Sequence, residues 1–118
     1  MQTKVVKIDS ANIDDAAMKE ACDLIRAGEL VAFPTETVYG LGAEASKKIY
    51  AAKGRPSDNP LIVHISKFED LVSIAREVPP QAKKLADAFW PGPLTMIVWK
   101  NDRVPYETTG GMDTVAIR

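Results

Sequence analysis

Three features of the sequence predict an α/β layered fold. Short apolar runs at residues 30–33, 61–65, 94–99 and 114–117 have strand length and composition. The stretches 14–27 and 80–89 carry apolar residues at helical spacing. The two kinds of segment alternate along the chain, as they do when helices cover the faces of a sheet. At 118 residues the chain fits one domain spanning residues 1–118.

Residues 5–8 read as a short opening strand, and residues 14–27 as a helix. Within that helix Met18, Ala21, Cys22 and Ile25 recur at i, i+3, i+4 and i+7, and Gly28 stops it. The run 30–33 is a buried strand closed by Pro34. Gly40 and Gly42 mark a tight loop whose glycines admit close backbone approach. Residues 46–52 form a short helix capped by Ser46, and 61–65 a second buried strand. Ser66 and Glu69 have capping-box spacing, which predicts a helix from about 67 to Glu77. Pro80 suits the first turn of the next helix, whose apolar face is Ala82, Leu85, Ala86 and Phe89. Trp90, Pro91, Gly92 and Pro93 end it, and residues 94–99 are a third strand. A polar loop with Gly110 and Gly111 leads to a last strand at 114–117. The aromatic rings of Phe89, Trp90 and Trp99 are expected in the core. A final strand at the very end of the chain, with nothing to cover it, predicts that the chain is truncated.

Composition narrows the function. Apolar residues make up 46% and charged residues 26%, ordinary for a globular protein. The net charge of −1 supplies no global attraction to nucleic acid or anionic lipid, so anion binding requires a local patch. The single Cys22 excludes an intramolecular disulfide and a thiolate zinc cluster, in keeping with a cytoplasmic protein. No apolar run approaches the ~20 residues that span a bilayer, and the N-terminus lacks a signal-like apolar region.

The local patch lies at 53–65, KGRPSDNPLIVHI. Lys53 and Arg55 stand on a loop stiffened by Pro56 and Pro60 and anchored by the following strand. Arg55 can fork onto phosphate oxygens and Lys53 adds a point charge, each bond worth ~1.5–3 kcal/mol. Asn59 offers a donor and an acceptor on the same loop, although residues of this type also favour plain turns. Thr37 places a hydroxyl just past the carboxyl end of a strand, where open α/β sheets bind ligands. His64, the only histidine, alternates with Val63 and Ile65 and so faces away from them. Thr114 and Arg118 lie four apart on a strand and share a face, and an arginine there suits bidentate recognition of a carboxylate. Glu36 and Asp58 read as solvated loop carboxylates, so no protein metal site is expected.

Four segments are too specific for scaffolding alone: 34–43 (PTETVYGLGA), 53–65, 89–95 (FWPGPLT) and 113–118 (DTVAIR). Together, and in this order, they resemble the YrdC-like family of L-threonylcarbamoyladenylate synthases. The resemblance implies a twisted, open mixed sheet with flanking helices around a concave positive pocket. It implies a nucleotidyltransferase that joins L-threonine, bicarbonate and ATP into threonylcarbamoyl-AMP and pyrophosphate, the first step of threonylcarbamoyl modification of tRNA adenosine. By resemblance Lys53 and Arg55 are catalytic and, with Asn59 and Thr114, hold ATP, which itself carries most of the Mg2+. Thr37, His64 and Arg118 fall to L-threonine, with His64 in a hydrogen-bonding role. Downstream tRNA-modification proteins, and a weak contact with tRNA or double-stranded RNA, are the implied macromolecular partners. No membrane is among them.

The chain departs from the family pattern twice. Only Glu44, Ala45 and Ser46 join Gly42-Ala43 to Lys47, where family members have several more residues. Beyond Arg118 the family continues into C-terminal strands with a Ser-x-Asn element that partners the Lys-x-Arg pair, and this chain has no such element. Low activity is therefore expected of these 118 residues by themselves. Two other readings compete. A carbamoyl-adenylate-forming relative within hydrogenase-maturation proteins would bring zinc-finger cysteines, which a single Cys22 does not supply. A double-stranded RNA or tRNA-binding module would call for a basic, aromatic surface, which a net charge of −1 disfavours.

Overall fold

Helix α1 (Asp15–Arg26) is capped by Asp14, whose carboxylate accepts from the N–H groups of Ala16 (2.9 Å) and Ala17 (3.2 Å). It ends at Gly28, which takes φ +80°. The computed structural model describes residues 2–118 apart from Glu36, Val38, residues 43–45 and Arg55, and the side chain of Ser46 also lies outside the description. The proposed Ser46 cap and the shortened join at 43–46 therefore fall outside the described residues, as does the side chain of Glu36.

Nine further elements follow. Strands β1 (Val31–Pro34) and β2 (Tyr39–Gly42) pair antiparallel, with Val31 opposite Gly42 and Pro34 opposite Tyr39. Helix α2 (Ser46–Lys53) leads through the proline loop to β3 (Ile62–Val63). A 3₁₀ turn (Phe68–Ser73) precedes α3 (Pro80–Phe89), which carries Pro80 in its first turn. Strand β4 (Met96–Trp99), a single-turn helix α4 (Tyr106–Thr109) and β5 (Thr114–Ile117) complete the chain. The strands β3, β5 and β4 form a mixed sheet in that order, β3 parallel and β4 antiparallel to β5. The expected open mixed α/β sheet is thus present, with the β1–β2 ribbon as a separate pair.

β5 has a neighbour on either side and one face in the core. Leu71 and Ile117 are fully buried and Val115 nearly so, with Ala82 and Ala86 of α3 and Met96 and Val98 of β4 packed around them. Each of the Leu, Ile, Val and Met side chains contributes about 1.5–3 kcal/mol by leaving water. Among the described residues no helix is long and apolar enough to cross a membrane.

The structure corrects five local expectations. Residues 5–8 form no strand, and Val5 is 89% exposed. The glycine segment at 40–42 is a strand, not a loop, because Gly40 and Gly42 lie against the flat ring of Phe33. The helix predicted over 67–77 closes as a 3₁₀ turn at Ser73, since the chain then leaves to pair with the end of β4: Arg76 N–H donates to the Trp99 carbonyl (2.8 Å) and Asn101 N–H to that of Ile74 (2.9 Å). Its capping box is not formed; Ser66 Oγ instead donates to the Asp70 carboxylate at 3.2 Å. Phe89 and Trp99 are exposed rather than core, while Trp90 packs against the core.

Candidate functional site

The parallel pairing of β3 with β5 builds the first wall. Arg118 N–H donates to the Val63 carbonyl (2.9 Å), and the Arg118 carbonyl accepts from Ile65 N–H (3.0 Å). These two bonds bracket His64, so His64 and Arg118 stand side by side in the ladder. Burial alternates along both strands: Val63, Ile65, Val115 and Ile117 turn to the core, whereas His64 is exposed and Thr114, Ala116 and Arg118 share the other face. The alternation predicted for His64 and for the Thr114–Arg118 pair holds. His64 and Arg118 line a cleft of about 490 Å³ with Ser66, Lys67, Asp87 and Trp90.

The β1–β2 ribbon supplies the second wall. Phe33 meets the His64 ring edge-on at 6.5 Å between centroids. A Cβ on Gly42 would stand 2.6 Å from Phe33 Cε1, and one on Gly40 would stand 3.1 Å from Thr35 Cγ2. The glycines thus leave room for the ring. Past the end of β1, the hydroxyls of Thr35 and Thr37 are 3.3 Å apart. Arg118 crosses to this ribbon: its Nη1 donates to Thr37 Oγ1 at 3.3 Å. Its Nε (3.1 Å) and Nη2 (2.9 Å) both donate to Thr95 Oγ1. Thr37, His64 and Arg118 are thereby brought to one place by three different elements.

The proline loop is held from two sides. Tyr50 of α2, itself buried, donates its hydroxyl to the Asn59 carbonyl at 2.7 Å. From α4, the Thr108 carbonyl accepts from Leu61 N–H at 2.9 Å. Gly110, at φ +63°, lies directly on the Asp58 carbonyl, where a Cβ would overlap that oxygen and come within 3.3 Å of Pro60 N. With its N–H bonded to Pro56 and its carbonyl to Tyr50, Asn59 has its main chain satisfied. Its side-chain amide has no hydrogen-bond partner among the described residues, and the residue is exposed. Lys53 is exposed at the last position of α2. Thr114, half-buried, stands opposite Trp99 in the β4–β5 ladder. Arg55 lies outside the described residues.

The exposed Lys53 ammonium at the end of α2 and the Asn59 amide on the tethered loop after it fit a phosphate-bearing ligand, and the hydroxyl–guanidinium cluster at Thr37, Thr95 and Arg118 fits a carboxylate. Among the described residues no group of three His, Cys, Asp or Glu side chains is disposed to hold a metal. Two contributors escaped the sequence reading. Tyr50 resembles any other aromatic residue on a helix. Thr95 closes the segment 89–95, whose distinctive composition was its only signal.

The chain has relatives among known proteins. The family Sua5_yciO_yrdC, described as telomere recombination, matches residues 23–118. The threonylcarbamoyl-AMP synthase of Pyrococcus abyssi is 55% identical over 111 residues, covering 90% of this chain and 33% of that protein. The threonylcarbamoyl-AMP synthase of Bacillus subtilis is 51% identical over 116 residues, covering 93% of this chain and 34% of its own length. The crystal structure of P. abyssi Sua5 complexed with L-threonine superposes with a TM-score of 0.88 at 54% identity, over 91% of this chain and 33% of that one. The chain therefore spans about a third of the length of these relatives.

Proposed function

The chain belongs to the Sua5/YciO/YrdC family, and from that premise we propose that it forms the ATP and L-threonine half-sites of a threonylcarbamoyl-AMP synthase. The observation that carries the proposal is the bond between Arg118 and Thr37, residues 81 apart in sequence that meet beside His64. The synthase names of relatives above 50% identity, and an L-threonine complex of one of them, support the same reading.

In this reading Arg118 takes the α-carboxylate of L-threonine, and Thr37 and His64 bond its remaining polar groups. The amine adds to the carbon of bicarbonate with loss of water and gives a carbamate. A carbamate oxygen then attacks the α-phosphorus of ATP, and the bond to pyrophosphate breaks. Lys53 and Arg55 neutralise charge on the phosphates, and Asn59 and Thr114 orient the nucleotide. Magnesium travels mainly with the ATP phosphates. Such a reaction depends mostly on holding two reactants in line and on neutralising charge.

Pyrophosphate release from ATP tests this in the full-length natural protein. Release that requires both L-threonine and bicarbonate is expected. Release indifferent to L-threonine would refute the proposal.

A further inference from the structure

Segment 89–95 is among the most distinctive in the sequence, yet the proposed reaction leaves it without a task. Its last residue, Thr95, faces Arg118. The β4–β5 ladder pairs Met96 with Ile117, so the next step outward sets Thr95 opposite Arg118. There one oxygen, Thr95 Oγ1, accepts from both Nε (3.1 Å) and Nη2 (2.9 Å) of the guanidinium. Two donors of one edge of a planar fork on a single acceptor fix the plane and its rotation. With that edge on Thr95, Nη1 is directed to Thr37 Oγ1 at 3.3 Å.

The rest of the segment holds Thr95 still. Trp90 N–H donates to the Ala86 carbonyl of α3 at 2.9 Å. The Trp90 indole N–H donates to the Leu94 carbonyl, immediately before Thr95, at 2.7 Å. Gly92 packs on the last turn of α3 so tightly that a Cβ there would stand 2.5 Å from the Phe89 carbonyl oxygen. A chain of contacts thus runs from α3 through Trp90 and Leu94 to the Thr95 hydroxyl and on to Arg118.

We infer that Thr95 is a positioning residue that sets the plane of the Arg118 guanidinium for the carboxylate of the amino-acid substrate. The inference deepens the proposed function and rests on its assignment of Arg118 to that carboxylate. A bidentate pair gains its strength from two parallel N–H···O bonds, so a guanidinium that can swivel binds the carboxylate less well. Thr95 itself touches no substrate in this scheme.

The test compares Thr95→Val, which keeps the shape and removes the acceptor, with Thr95→Ser, which restores it, in the full-length natural protein. Michaelis constants for L-threonine and for ATP are measured by pyrophosphate release. Thr95→Val is expected to raise the KM for L-threonine about tenfold while that for ATP holds, and Thr95→Ser to stay within about twofold of the parent. An unchanged KM for L-threonine in Thr95→Val would overturn the inference and leave the proposed function standing. So would a parallel rise in both KM values with a lowered melting temperature, the mark of a structural role only. A parent protein that releases pyrophosphate without regard to L-threonine overturns the proposed function, and this inference with it.

Discussion

The hydroxyl of Tyr50 donates to the main-chain carbonyl of Asn59 across 2.7 Å, tying helix α2 to the loop that follows it. Lys53 lies one helical turn beyond Tyr50. The bond therefore ties the helix that ends in Lys53 to the main chain of the loop that carries Asn59. Tyr50→Phe removes the bond and keeps the packing. Because Asn59 is exposed, water replaces the donor, and the expected stability loss is only about 0.5–1.5 kcal/mol. The larger effect is expected on ATP: its KM rises several-fold while that for L-threonine holds, as steady-state kinetics would register.

Gly110 and Gly111 both take positive φ, +63° and +86°, but only Gly110 has a neighbour. Alanine at 111 meets nothing within 4 Å and is expected to cost about 1–2 kcal/mol of backbone strain. Alanine at 110 adds an overlap with the Asp58 carbonyl and is expected to cost a further ~1–3 kcal/mol. It also pushes the proline loop off α4. Urea unfolding of the two variants gives the difference directly.

Gly42→Ala sets a Cβ 2.6 Å from the Phe33 ring, which must move. The ring leans edge-on against His64, so the expected outcome is a changed His64 environment and weaker L-threonine binding. The His64 imidazole resonances in an NMR spectrum report the first, and calorimetry the second. An overpacking cost of about 1–3 kcal/mol accompanies them.

These sites were unequally legible in the sequence. Helices α1 and α3 follow from apolar periodicity together with Gly28 and Pro80, and β5 from a β-branched, alternating run that the burial pattern reproduces. Strand β2 was hidden because Gly40 and Gly42 carry a turn-like signature, and the reason for them is a ring on another strand. Local capping spacing predicts a longer helix than the turn Phe68–Ser73 because it carries no trace of the long-range pairing of Ala75 with Lys100. Helix α4 is one turn containing Thr108 and Thr109, too short for any period. In the site, the direction of His64 and the shared face of Thr114 and Arg118 were legible because a strand alternates. The bond from Arg118 to Thr95 was not, since it depends on register between β4 and β5.

Tyr106 gives a pH prediction away from the site. Its phenol donates to the Asp113 carboxylate at 2.8 Å, and that bond, with the charge of Asp113, raises its pKa above the ordinary value of 10.0. A raised pKa in the folded state means that the protonated phenol is favoured by folding. The contribution is complete below the unfolded value and is lost as pH climbs through the folded one. Stability is therefore expected to fall above about pH 10, and to fall less in Tyr106→Phe. Chemical denaturation across that range, comparing parent and variant, measures it.

In the proposed function the proline loop and the Arg118 pocket serve one reaction. The most direct measurement follows carbon from labelled bicarbonate in the full-length natural protein. A labelled nucleotide product with the mass of threonylcarbamoyl-AMP is expected to form only when ATP and L-threonine are both present and to disappear in Arg118→Met. A labelled nucleotide formed without L-threonine, or no labelled nucleotide with all three substrates supplied, would contradict it.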